Sequence, residues 1–347
     1  MTRLDEKLAR IRAGQYRKSD FIIADAKDAD MGSGITGLGP KRKNDGTSSR
    51  YRTRDEFESQ IRSILDADIV DIMLVSSSIL ERLMTANAFA KSGTKPAIRA
   101  NDTTDCWGAI RHGSYAGHPS RPFRTANLQR VMYGTLTSTP EASITGTDLG
   151  LYSVTFVNDI DIDTHALNEF AKFRDEAGLL GFKYFLEVFN PNVSTGLDAR
   201  QTAEFVNDCI LRCLAGVMEA DRPQFLKIPF NGPRAMEELA SFDSKLIVGV
   251  LGGGAGTTRD AFELIAQAEK YGARLALFGR KINLAESQEL MITYLRRVVE
   301  GEVRPAEAVR AYHGDLEKMK ILPHRSLSED IEITEAPLKE GAISKAA

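Results

Sequence analysis

The sequence predicts a (β/α)8 barrel, the TIM-barrel architecture, with an insertion after the third strand and short terminal extensions. Three observations carry this expectation. Short apolar runs of strand type alternate with helical patterns through most of the chain, which is the mark of parallel α/β folds. The strand–helix unit recurs eight times. The 347 residues also exceed the roughly 250 of such a barrel, leaving room for an insertion and extensions. The whole chain, 1–347, is expected to be one barrel domain, with its core at about 20–315, the insertion at 101–150 and a C-terminal tail at 323–347. An open doubly wound sheet is the alternative. Its dinucleotide fingerprint would have to be the glycine run 252–256, which no second βαβ half follows.

A short helix at 3–13 comes first, then a strand at 21–26 and a polar loop at 28–50. The helix at 54–67 puts Phe57, Ile61, Ile64 and Leu65 on one face and Glu58, Arg62 and Asp66 on another. A strand at 69–75, a helix at 78–90 and a strand at 95–100 follow. Residues 101–150 break the rhythm with Trp107, His112, Tyr115, His118 and the arginines Arg111, Arg121, Arg124 and Arg130. Within them, 126–135 is expected to form an extra strand or hairpin. Such a long insertion serves as a lid or an interface arm, or is plain surface elaboration. Strands at 152–157, 183–189, 223–231, 245–251 and 273–278 then alternate with helices at 164–179, 198–220, 233–240, 258–271 and 284–300, and a helix at 305–313 closes the series. The acidic tail after Leu322 is expected to be loose.

Composition narrows the function. With 42% apolar and 27% charged residues and a net charge of −3, the chain reads as an ordinary soluble globular protein with no bias toward nucleic acid or an anionic membrane. No apolar run reaches the roughly 20 residues that span a bilayer. The charged start, Met1 to Lys7, lacks the apolar core of a signal peptide. Cys106, Cys209 and Cys213 form no metal-ligand spacing, and a reducing, cytoplasmic compartment is expected. His165 and His313 read as helix residues without clustered partners. No metal and no cofactor is expected, and the chain is expected to form a homo-oligomer.

In a barrel of this kind chemistry sits at the C-terminal ends of the strands. The charged and polar residues there are Asp25 and Asp28, Arg99 and Asp102, Asn158 and Asp159, Glu187, Lys227 and Arg280. Alternation groups Phe225, Lys227 and Pro229 on one face and the apolar Leu226, Ile228 and Phe230 on the other. The apolar set suits the outer helices, so Lys227 is expected to point into the barrel. A desolvated lysine amine is a nucleophile toward carbonyl carbon. Lys183, Phe185, Glu187 and Phe189 likewise share a face, which sets Glu187 beside Lys227 as a proton shuttle or a structural salt-bridge partner. Gly252, Gly253 and Gly254 let backbone approach an anion, Thr257 or Thr258 can cap the next helix, and Gly279 with Arg280 repeats the device one strand later. Loops after strands 7 and 8 are the usual phosphate site of this fold. Asp25 and Asp28 are equivalent candidates for an assisting acid, and Arg99 is a partner either for a second phosphate or for Asp102.

The runs Lys183 to Phe189 and Phe225 to Phe230, the glycine turn after Val250-Leu251, and Phe278-Gly279-Arg280 resemble the second half of a class I aldolase. The likeness is to the tagatose-bisphosphate and archaeal-type fructose-bisphosphate aldolases, related to deoxyribose-phosphate aldolase. It is good over 150–315, fair over 20–100 and absent over 101–150. The resemblance implies a metal-free (β/α)8 lyase that handles a phosphorylated ketose through a Schiff base on Lys227. It implies Glu187 as the strand-5 acid, Asp25 or Asp28 as the strand-1 acid, and phosphate amides at Gly253, Gly254, Gly279 and Arg280. Strand 4 departs by ending Val157-Asn158-Asp159 without lysine or tyrosine, and strand 5 by ending in Phe189 where some relatives carry tyrosine. A transferase or thiolase using the same lysine, or a non-catalytic barrel that binds a sugar phosphate, would fit the same residues.

Overall fold

The computed structural model describes residues 2–43, 46–107, 110–136, 142–254 and 256–343. Eight parallel strands close into a barrel, each pairing with its neighbours in chain order and the last with the first. They are β1 (Ile22–Lys27), β2 (Ile72–Val75), β3 (Lys95–Arg99), β4 (Leu149–Thr155), β5 (Lys183–Phe189), β6 (Leu226–Ile228), β7 (Val248–Leu251) and β8 (Leu275–Phe278). With helices between the strands, this is the (β/α)8 barrel that the alternation predicts.

Strand alternation sorts the apolar side chains into two shells. The inner shell takes residues such as Ala24, Leu74, Ala97, Leu151, Phe185, Phe225 and Leu277 from strands around the barrel. Leu4 and Leu8 of the first helix, α1 (Arg3–Arg12), join this shell and close the barrel's N-terminal end. Thr2 caps α1, and Lys7 and Arg3 tie it to the buried Asp71 at 2.9 and 3.0 Å, with Arg296 adding a third cation at 2.9 Å. Burial would raise the Asp71 carboxyl, but Arg296 and Lys7 outweigh it and hold the group below the usual range. The outer shell, including Ile23, Tyr152, Leu186, Leu226 and Phe278, packs against the helices.

Several expected elements change character. Residues 126–135 hold no strand. Asn127 accepts a hydrogen bond from the Arg130 amide, and Leu128, Val131 and Met132 are buried at helical spacing, so Leu128–Tyr133 is a helix. The short hairpin of the insertion pairs Asp102–Thr103 with Pro122–Phe123. The loop after β1 is built rather than plain, with a helix at Ala29–Ser33, a 3-10 turn at Gly34–Leu38 and a hairpin of Pro40–Arg42 with Ser48–Tyr51. The tail is not loose. Asp330 accepts from the Thr258 amide at 2.7 Å and contacts His313 at 2.9 Å, Thr334 bonds Asp260, and Leu338 is buried against the core. Buried polar pairs and one apolar anchor therefore fix a segment whose composition reads as free. Among the described residues no helix is long and apolar enough to cross a membrane.

Candidate active site

At the C-terminal ends of the strands lies a cavity of about 470 Å³, lined by residues of strands β1, β3, β5, β6, β7 and β8 and of the segments that follow β1, β3, β7 and β8. Lys227 is central to it. The barrel register sets Lys227 opposite Glu187 on β5 and opposite Gly249 on β7. Its neighbours Leu226 and Ile228 lie in the outer shell, which turns the ammonium inward. Lys227 Nζ lies 2.5 Å from Glu187 Oε1. The lysine is 7% exposed and the glutamate 1%, so both are desolvated yet open to the cavity. Gly249 makes room for Leu275 of β8, because a Cβ there would come 2.2 Å from Leu275 Cγ.

The other oxygen of Glu187 is held as firmly. Ser153 on β4 donates its hydroxyl to Glu187 Oε2 at 2.7 Å, and Arg99 Nη1 approaches the same oxygen at 3.6 Å. Arg99 is the hub of the β1–β4 side. Its Nη1 donates to Asp28 at 2.9 Å, its Nε faces Asp102 at 3.4 Å, and its Nη2 reaches Ser153 Oγ at 3.3 Å and Cys106 Sγ at 3.4 Å. Burial opposes the charge of Arg99, but Cys106, Asp28, Glu187 and Asp102 together hold its pKa well above the ordinary value. Burial also pushes the Asp102 carboxyl up to about 6 against the pull of Arg99, and burial raises the Cys106 thiol.

The loop after β3 adds a wall that strand reasoning does not reach. Asp105 accepts from Ser120 Oγ at 2.7 Å and from Thr155 Oγ1 at 2.9 Å, and both Asp105 and Cys106 line the cavity. Ser153 and Thr155 could have been found. They share the face of Leu149 and Leu151, which marks them as inward polar residues of β4. Asp105 and Cys106 lie in the insertion, where no periodicity signals position.

Opposite this wall, Gly252, Gly253, Gly279 and Arg280 line the cavity. A Cβ at Gly252 would meet Phe278 Cδ1 at 2.6 Å, and Gly253 sits at φ +68, so both positions demand glycine. Thr257 caps the following helix, Thr258–Lys270, by accepting from the Asp260 amide. Gly254 does not line the cavity and lies beside the Glu335 carboxylate of the docked tail. Ala255 lies outside the described residues. Arg280 also borders an adjoining pocket with Arg42, Lys281, Arg325 and Glu286, in which cations outnumber carboxylates.

Of the sequence-predicted residues, Asp28, Arg99, Glu187, Lys227, Gly252, Gly253, Gly279 and Arg280 meet around one cavity. Asp25 does not. Its strand neighbours Ala24 and Ala26 belong to the inner shell, so Asp25 points outward, where it pairs with Lys27 at 3.1 Å and both are 0% exposed. Asp159 is spent on capping the helix Ile160–Leu180. Among the described residues no group of three His, Cys, Asp or Glu is placed to hold a metal ion.

No family model matches the sequence, and no curated protein matches it. Solved structures do match. An archaeal fructose 1,6-bisphosphate aldolase aligns at 15% identity over 86% of this chain and 99% of its own, with a TM-score of 0.58. A Schiff-base-forming fructose-1,6-bisphosphate aldolase aligns at 14% identity over 85% and 99%, with a TM-score of 0.57. A protein from Corynebacterium glutamicum aligns at 17% identity over 86% and 98%, with a TM-score of 0.56. At these identities the likeness establishes the (β/α)8 fold.

Proposed function

We propose that the chain is a class I aldolase, a lyase that cleaves or forms a C–C bond of a phosphorylated ketose or related carbonyl compound through an imine on Lys227. The observation that carries this reading is the Lys227–Glu187 pair, 2.5 Å apart on adjacent strands and facing the cavity. Transfer of a proton from Lys227 to Glu187 leaves an amine that attacks the substrate carbonyl. Glu187 returns the proton to the carbinolamine oxygen, water leaves, and an iminium remains. Removal of the proton from the hydroxyl two carbons away lets the C–C electrons flow to the iminium nitrogen. An aldehyde departs, and the enamine is protonated and hydrolysed. Each proton moves between the substrate and a carboxylate already held in place, Glu187 by Ser153 and Arg99, with Asp28 as the nearby second acid. Backbone at Gly252, Gly253 and Gly279 together with Arg280 is the proposed phosphate end. The archaeal and Schiff-base-forming aldolases named above share the fold and favour this reading over other barrel chemistries.

The test is reductive trapping. Borohydride added with dihydroxyacetone phosphate should raise the intact mass by one reduced adduct. An unchanged mass across a panel of ketose phosphates would leave a phosphate-binding barrel without imine chemistry.

A further inference from the structure

The cavity is polarised along its length. At the Arg280 end the lining is glycine backbone and one guanidinium; behind it Lys281, Arg42 and Arg325 stand against the carboxylates of Glu286 and Glu335, so cations are in excess there. At the other end Asp28, Asp105, Glu187 and, just behind them, Asp102 gather around Arg99 and Lys227. These are four carboxylates against two cations, so the far end carries an excess of negative charge. Arg99 cannot offset this toward a ligand, because its Nε and both terminal nitrogens already face Asp102, Asp28, Glu187, Ser153 and Cys106. Asp105 is held by two hydroxyls and no cation. Carboxylate oxygens in such a setting accept hydrogen bonds from hydroxyls, whereas a phosphate brought against them meets like charge.

We propose that the cavity selects a monophosphorylated substrate, bound by its single phosphate at the Gly252–Gly253 and Gly279–Arg280 end and by uncharged hydroxyl groups at the Asp28–Asp105 end, and that a second phosphate is rejected there. This rests on the reading of the Arg280 end as the phosphate end. It removes Arg99 as the anchor of a second phosphate, and it makes Asp28 and Asp105 specificity-determining residues.

The experiment separates this from the imine reading by using ligands that cannot form an imine. Calorimetry on the full chain compares a hexitol 1-phosphate with the corresponding hexitol 1,6-bisphosphate. The monophosphate should bind at least about tenfold more tightly, a difference of about 1.4 kcal/mol. Asp105→Asn keeps the shape and removes one charge, so it should narrow the ratio several-fold. Asp28→Asn with Asp105→Asn should narrow it further. Equal or tighter binding of the bisphosphate overturns the proposal, as does a ratio that Asp105→Asn leaves unchanged in a folded protein. Failure of both hexitols to bind overturns it together with the phosphate end. Trapping with dihydroxyacetone phosphate reports on Lys227 alone and can fail or succeed independently.

Discussion

Two buried carboxylate–ammonium pairs sit on the strands of this barrel, and they differ in nearly everything but chemistry. Glu187 and Lys227 lie 2.5 Å apart across neighbouring strands and face the cavity. Asp25 and Lys27 lie 3.1 Å apart on one strand, face the helix layer, and are wholly buried. The inner pair is supported, with Ser153 and Arg99 engaging the second carboxylate oxygen. In the outer pair neither oxygen of Asp25 nor the Lys27 nitrogen has a well-formed hydrogen bond. Burial pushes the Asp25 carboxyl up and the Lys27 amine down, so each group is drawn toward its neutral form. A strained, desolvated lysine is thus not enough to mark a nucleophile. Access to a cavity and a satisfied proton partner separate the two, and strand parity decides access.

The comparison can be broken most severely at the inner pair. Glu187→Gln keeps size and hydrogen bonding but cannot carry a proton, so kcat should fall by roughly 10²–10⁴-fold with little change in KM. Melting temperature measured on the same preparation guards the result. A large drop in melting point with near-normal kcat would make Glu187 a structural partner only.

The outer pair should respond in stability and not in chemistry. Lys27→Met strands Asp25 in an apolar layer and should cost about 3–5 kcal/mol. Adding Asp25→Leu removes both charges and should restore stability to wild type or raise it by about 1–4 kcal/mol. Borohydride trapping should survive in the double variant. Chemical denaturation reads the first two outcomes, and loss of trapping in a folded double variant would give the outer pair a part in catalysis.

Smaller effects sharpen the two ends of the site. Arg280→Ala should weaken substrate binding by about 1.5–3 kcal/mol if the guanidinium holds phosphate. An unchanged KM would mean that Arg280 serves the adjoining basic pocket instead. Asp102 offers a pH signature. Its carboxyl is raised from 3.8 to about 6. Between those pH values the folded chain keeps a proton that the unfolded chain has released, so the stability from this group is present at low pH and lost as pH rises through about 6. The wild-type melting temperature, relative to Asp102→Asn, should therefore decline by a few degrees over that window, since each kcal/mol moves the midpoint of a chain this long by less than about 2 °C. A flat difference would mean that Asp102 ionises at its ordinary pH.

The same contrast explains what could be read from the sequence. On β5 and β6 one face is continuously apolar, as in Leu226, Ile228 and Phe230, so the charged face had to be the inner one. On β1, Ile22 and Ile23 put apolar residues on both faces, and the pattern gives Asp25 no direction. Asp28 was legible only as one of two equivalents until its contact with Arg99 separated them. Asp105 and Cys106 were invisible because a loop is carried over the mouth by tertiary contacts, not by periodicity. The tail's composition misleads for a related reason: its acids read as solvated, whereas Asp330 and Thr334 pack against Thr258 and Asp260.

The central claim is that Lys227, and not the more deeply buried Lys27, forms the imine. Peptide mapping after borohydride treatment with dihydroxyacetone phosphate tests it most directly. The reduced adduct should lie on the peptide containing Lys227, and Lys227→Ala should show none. An adduct on the Lys27 or Lys281 peptide, or one that persists in Lys227→Ala, would contradict the account.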